Sequence, residues 1–251
     1  MDLGLADRVY LVTGGSRGLG RAAADTLVAD GARVVISARS ADRVRAAAAE
    51  LGSSAVGVPA DNADPATPGR LVAAARSAFG RLDGALISVG GPPGGSVTSV
   101  LDEQWSAAFE SVFLGTVRLA RELASELGEA GSIVFVLSTS VRSPISGLAI
   151  SNGLRPGLAM VAKTLADEVG PRGIRVNGLL PGRISTDRVA ELDAATGDPA
   201  GARARSEAGI PLGRYGEPAE FGRVATFLLS PAASFLTGTM LPVDGGALRS
   251  L

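Results

Sequence analysis

Residues 10–27 read "YLVTGGSRGLGRAAADTL", and this stretch decides the fold. A short apolar, β-branched run ends at Thr13, a glycine-rich turn follows, and the chain leaves as an alanine-rich helix. Glycines let the backbone turn sharply and approach a phosphate closely, while a helix N-terminus directs free N–H groups and a partial positive charge at it. Gly18-Leu19-Gly20-Arg21-Ala22-Ala23 satisfies the G-x-G-x-x-A dinucleotide fingerprint. No Gly-Lys-Ser/Thr follows, so the turn is not a P-loop.

Working outward, the same alternation continues. Near-continuously apolar runs, as expected of strands buried on both faces, occur at "RVYLVTG", "ARVVISA", "SAVGVPA", "DGALISV", "GSIVFVL" and "IRVNGLL", with a last short one at "TMLPVDGG". Helical patterns fit 18–30, 41–51, 65–80, 103–127 and 149–170. Strand–helix alternation predicts an α/β, Rossmann-type doubly wound parallel sheet with helices on both faces. No repeat, linker or composition break divides residues 1–251, which read as a single domain. The glycine- and proline-rich 89–99 reads as a loop over the carboxyl edge of the sheet. The charged 185–216 segment reads as a second one, of the kind that forms substrate lids.

Composition narrows the chemistry. The chain has 251 residues, 46% hydrophobic and 20% charged, a formal net charge of -1, and neither cysteine nor histidine. Disulfides, thiolate nucleophiles, imidazole bases and most zinc sites are thereby removed, and no metal is expected. No basic block suggests nucleic acid or a membrane surface. The N-terminus runs straight into a strand pattern, so no signal peptide is expected, and no apolar run is long enough to span a bilayer; a cytoplasmic location is the expectation.

The end of the second strand chooses the dinucleotide. An acidic residue there would hold the ribose 2′-OH of NAD, but this chain has Ala38 followed by Arg39, with Arg17 in the glycine loop itself. Two guanidiniums suit a 2′-phosphate, so NADP(H) is the expected cofactor.

The pattern Thr13-Gly14-x-x-x-Gly18-x-Gly20 resembles the short-chain dehydrogenase/reductase family, and the resemblance extends over essentially the whole chain. It implies a cofactor cradle at Thr13, Gly14, Ser16, Arg17, Gly18, Leu19 and Gly20. Asp61, with Asn62, resembles the adenine-contacting position after the third strand. Ser88, Val89 and Gly90 follow the fourth. Pro181-Gly182 with Ile184 and Thr186 resembles the family's nicotinamide and phosphate segment, and "LTGTMLPVDGG" its C-terminal strand and turn.

The family's Asn-Ser-Tyr-Lys tetrad, with Tyr and Lys spaced as Y-x-x-x-K, is where the pattern departs. The only tyrosines are Tyr10 and Tyr215, and neither precedes a lysine at that spacing. An ungapped reading of the segment after the fifth strand places Ser138 at the serine position, Ser151 at the tyrosine position and Arg155 at the lysine position. Val112 stands for the asparagine. An aliphatic hydroxyl is a far weaker acid than a phenol, and Arg155 stays charged, so tyrosine-type proton transfer is lost. What remains are hydroxyl donors at Ser138, Thr139 or Ser140 and Ser151, with Arg155 to stabilise developing negative charge and to sit near the nicotinamide ribose.

The expectation is an atypical NADP(H)-dependent oxidoreductase on a small carbonyl, hydroxyl or activated double-bond substrate. A non-redox lyase, isomerase or cyclase on the same fold, or a non-catalytic dinucleotide-binding protein, are the alternatives. Pro156, flanked by Gly153 and Gly157, predicts a kink or widened turn beside Arg155. Apolar stripes on "FLGTVRLARELASEL" and "LAMVAKTLADEV" fit the helix pairing the family uses, so a homodimer or homotetramer is expected.

Overall fold

The computed structural model describes residues 2–250. Its seven strands are β1 (Val9–Thr13), β2 (Arg33–Ala38), β3 (Ala55–Pro59), β4 (Gly84–Ile87), β5 (Ser132–Val136), β6 (Arg175–Pro181) and β7 (Met240–Val243). They form one sheet in the order β3-β2-β1-β4-β5-β6-β7, every pair parallel. Alternation along each strand feeds two cores. Leu11, Ile133 and Phe135 face α3 (Thr67–Phe79), α5 (Gly115–Glu126) and α6 (Ala149–Val169), while Val12, Ile36 and Val134 face α1 (Gly18–Ala29), α2 (Ala41–Leu51) and α9 (Pro218–Leu229). This is the single-domain, doubly wound α/β fold that the sequence predicts.

The strand order reverses between β1 and β4, so the connections leaving these two strands diverge and open a crevice at their carboxyl ends. One clasp holds its floor. The Thr13 hydroxyl donates to the Ser88 carbonyl at 2.8 Å and accepts the Ser88 N–H at 2.9 Å.

The helix expected over 103–127 is three pieces: α4 (Asp102–Ala108), a π-helical turn at Phe109–Leu114, and α5. Phe109 and Phe113 stack within that turn, ring centroids 5.2 Å apart. Where α5 begins, Gly115 lies so close to the Asn62 carbonyl that a Cβ would collide with it.

No widened turn occurs at Pro156: α6 is α-helical from Ala149 to Val169. Only one intrahelical bond is lost to the proline, and Ile150, Leu154, Leu158 and Ala162, buried on both sides of it, hold the helix to the core. The widened turn lies instead in the neighbouring helix, at 109–114. Gly153 and Gly157 have a packing role. A Cβ on either would stand 2.9 Å from a ring carbon of Trp105 or Phe113 respectively, so α6 rests directly on two aromatic rings.

Buried arginines close helix ends elsewhere. Arg175 donates to the carbonyls of Leu228 (2.7 Å), Leu229 (3.2 Å) and Ser230 (2.9 Å) at the end of α9. Among the described residues no helix is long and apolar enough to cross a membrane, and no cluster of three metal-ligating side chains occurs.

Candidate active site and cofactor cleft

The glycine loop shapes one wall of the crevice. Gly14 has φ +62°, and a Cβ there would lie 2.8 Å from the Ser88 carbonyl. A Cβ on Gly20 would meet the Gly14 carbonyl at 2.5 Å, so α1 can start this close to β1 only with bare backbone. α1 has no side-chain cap at its N-terminus and no acidic residue in its first turn. Its orphan N–H groups and positive dipole end are left for an anion. A dinucleotide pyrophosphate fits this cradle. Ser16 and Leu19 are partly buried in the loop, while Arg17 reaches outward.

The remaining sequence-predicted positions fall around the same edge. Arg39 is exposed in the turn between β2 and α2, with no ion pair among the described residues. Asp61 folds its carboxylate back onto the Ala63 N–H at 3.0 Å, and its carbonyl accepts from the Thr67 hydroxyl at 2.6 Å. Beside it, Asn62 supports α5 through its backbone. Pro181 ends β6, and Gly182 packs so tightly on Asp244 that a Cβ would lie 2.7 Å from that side chain. Ile184 is buried, and the Thr186 hydroxyl caps α7 (Asp187–Ala194), accepting from the Val189 N–H at 3.4 Å. The Thr13 hydroxyl is spent on the backbone N–H and carbonyl of Ser88. Val89 offers its carbonyl to Arg155, and Gly90 is open to solvent.

The opposite wall holds the polar cluster. Ser138 ends the β5 connection as cap of a short 3-10 turn, its oxygen accepting from the Ser140 N–H at 3.1 Å. The Ser140 and Ser151 hydroxyls are 3.2 Å apart and buried. Four residues on, along the same face of α6, Arg155 is only 5% exposed. Its guanidinium donates to the Val136 carbonyl at 2.7 Å and toward the Val89 carbonyl at 3.5 Å, joining the ends of β5 and β4. No carboxylate pairs with it among the described residues, and burial pushes its pKa down to about 10. It remains a cation at neutral pH, in a dry place and without a counter-ion. Val112 is buried in the π-helical turn, its carbonyl taken by the Thr116 hydroxyl at 2.6 Å.

Neither tyrosine joins this cluster. Tyr10 is buried beneath α9, donating to the Leu229 carbonyl at 3.4 Å, and burial pushes its pKa up to about 12. Tyr215 donates to Asp193 at 3.0 Å in a buried contact, and burial raises its pKa too.

The 185–216 segment folds into two short helices, α7 and α8 (Pro199–Ala208). Its base is closed by reciprocal backbone bonds from Ser185 to Gly216 (2.8 Å) and from Gly216 to Arg183 (2.9 Å). α7 reaches both the glycine loop and the 89–99 loop. Arg188 donates to the Pro92 carbonyl at 2.6 Å in the 89–99 loop, and Asp187 pairs with Arg17 at 3.4 Å. Asp193 receives Arg183 at 2.9 Å as well as Tyr215. Sequence reasoning singled out neither Arg183, Arg188 nor Asp193. No local pattern marks them, because their partners lie ten to nearly a hundred positions away.

A parallel sheet with a bare-backbone glycine loop at its switch point defines a dinucleotide-binding α/β protein, and the comparisons with known proteins agree. A family model described as enoyl-(acyl carrier protein) reductase matches residues 14–247. L-rhamnose 1-dehydrogenase (NAD(P)(+)) of Azotobacter vinelandii is 36% identical over 98% of this chain and 99% of that protein. The 3-oxoacyl-acyl-carrier-protein reductase of Escherichia coli is 32% identical over 95% and 96%. Among solved structures, a short-chain dehydrogenase/reductase from Brucella melitensis superposes with TM-score 0.93 at 28% identity, both chains fully covered. L-sorbose reductase from Gluconobacter frateurii, complexed with NADPH and L-sorbose, gives 0.90 at 31%, again with full coverage of both. The chain belongs to the short-chain dehydrogenase/reductase family of oxidoreductases.

Proposed function

We propose that this protein is an NADP(H)-dependent oxidoreductase with a non-standard active site, acting on a small carbonyl, hydroxyl or activated double-bond substrate. The observation that carries this reading is Arg155: a buried cation without a counter-ion, beside the Ser140–Ser151 hydroxyl pair and across the crevice from the glycine cradle. Holding such a charge dry costs stability; Arg175 bears a similar cost at the end of α9, where three carbonyls use it, whereas Arg155 stands at the ends of β4 and β5 beside the two hydroxyls, which is where function would use it.

In this reading Gly14 to Gly20 and the start of α1 hold the pyrophosphate. Arg17 and Arg39 receive the 2′-phosphate, and Asp61 and Asn62 border the adenine. Val89, Gly90 and the 181–186 segment, from Pro181 and Gly182 to Ile184 and Thr186, frame the nicotinamide half. When bound, the cofactor supplies hydride chemistry. Ser138 and Ser151 donate hydrogen bonds to the substrate oxygen, and Arg155 stabilises negative charge developing there while also facing the nicotinamide ribose. Val112, Ser138, Ser151 and Arg155 thus stand where the family's tetrad would be, with no phenol to pass a proton. Helices α7 and α8 act as the substrate lid.

The test is NADPH oxidation, followed by absorbance, against aldoses and ketoses, 3-oxoacyl thioesters and enoyl thioesters. Turnover of one class, lost in Ser151→Ala and Arg155→Met, supports the reading. Tight NADPH binding without turnover of any of them overturns it in favour of a non-catalytic binding protein.

A further inference from the structure

The guanidinium expected to take the 2′-phosphate is not free in this structure. Arg17 Nη1 lies 3.4 Å from Asp187 Oδ2 and 3.9 Å from Glu191 Oε1. Both carboxylates are on α7, one turn apart. Glu191 also lies 3.7 Å from Arg188 Nη1, and Arg188 is the residue bonded to the Pro92 carbonyl. Thr186, the cap of α7, faces the glycine loop, its methyl 3.8 Å from where a Gly18 Cβ would stand. The start of α7 is therefore seated on the phosphate loop itself. Two fixed negative charges lie within ion-pair distance of the positive charge a 2′-phosphate needs. Arg39, by contrast, has no such competitor.

We propose that Asp187 and Glu191 set the affinity for the phosphorylated dinucleotide by competing with its 2′-phosphate for Arg17. This rests on the NADP(H) reading above. A dianionic phosphate can displace two monodentate, solvated carboxylates, but only after their contact with Arg17 is broken. NADH carries no 2′-phosphate and meets no such competition. The two carboxylates therefore lower the discrimination between the cofactors below what Arg17 and Arg39 alone would give. The same contact ties α7 to the cofactor, since a phosphate that takes Arg17 releases the start of α7 from the loop.

Exposed pairs of this kind are weak, so the effect is modest and salt-sensitive. The experiment is calorimetric titration of NADPH and NADH into the full chain as wild type, Asp187→Asn/Glu191→Gln, Arg17→Ala, and the triple variant. The double variant is expected to bind NADPH about three- to fivefold more tightly at low salt, with the gain nearly gone at about 1 M salt and NADH affinity unchanged. In the Arg17→Ala background, removing the carboxylates should change nothing. An unchanged NADPH affinity in the double variant, an equal gain for NADH, or a gain that survives Arg17→Ala overturns the proposal. If the wild type itself binds NADH as tightly as NADPH and Arg17→Ala leaves both unaltered, the NADP(H) reading has failed and the competition fails with it. A wild type that prefers NADPH alongside a silent double variant sinks the competition alone.

Discussion

Replacing Arg155 by methionine separates the cost of the site from its use. Burial lowers the guanidinium from its usual value near 12.5 to about 10. At about 1.4 kcal/mol per pH unit, holding this charge in place costs on the order of 3 kcal/mol. The bond to the Val136 carbonyl at 2.7 Å returns about 2 kcal/mol as a charge-assisted contact, and the 3.5 Å approach to Val89 returns little. Methionine keeps much of the volume and removes the charge. The net is a gain of about 1 kcal/mol, or about 2–4 °C in melting temperature for a chain of this size.

The sign with pH follows from the direction of the shift. A base whose folded pKa is depressed is protonated more readily when unfolded, so its penalty is complete at every pH below about 10 and fades as pH rises from there. The advantage of Arg155→Met should therefore be the same at pH 7 and pH 9. NADPH affinity should fall about tenfold or more as the ribose-facing donor is lost. Thermal melts with calorimetric binding make the test. A melting temperature lowered by more than about 8 °C, with NADPH binding intact, would show Arg155 to be a structural strut and refute the reasoning.

The rate of any NADPH-dependent turnover should be flat from pH 6 to 9. The chain has no histidine or cysteine, both tyrosines are pushed above their ordinary value, and Arg155 titrates only near 10. A titrating acid inside that window, seen in the pH–rate profile, would point to a proton donor outside the cluster, with Tyr215 the first to examine. Wild-type protein should reduce simple ketones slowly, and Ser151→Tyr with Arg155→Lys should raise that rate. A brisk wild-type rate, measured by NADPH absorbance, contradicts the assigned roles. Arg175→Ala strips three helix-end carbonyls of their partner and should cost about 3 kcal/mol, read as a fall of roughly 6–12 °C in melting temperature. Light scattering should give a dimer or tetramer. Met160, 67% exposed on α6, and Phe109, 46% exposed in the π-helical turn, belong to the helices expected to pair, so Met160→Glu should shift the mass toward monomer.

The sheet was legible because the burial of its central strands demands apolar runs, and each predicted run coincides with one of the seven to within a few residues. The phosphate loop was legible because its glycines answer local needs, a positive φ at Gly14 and a backbone contact at Gly20. Arg155 was found by its position, but its lack of a counter-ion is a property of everything around it, which no local pattern records. The widened turn expected at Pro156 fails for a similar reason: proline weakens a helix locally, while the apolar residues flanking it in space keep α6 α-helical through it. The π-helical turn at 109–114 has apolar residues that suit either winding. The grip of α7 on Arg17 and Pro92 joins residues 170 and 96 positions apart.

The glycine notches on α6 have a mechanical consequence. Ser151 and Arg155 look inward from that helix, while Gly153 and Gly157 on its other side bear on the rings of Trp105 and Phe113. The depth to which the polar pair reaches into the crevice is thus gauged from behind, by how closely a backbone can approach two aromatic rings. A single methyl at either notch would act as a shim, pushing the helix off the rings and advancing both side chains toward the crevice together, though it touches neither of them.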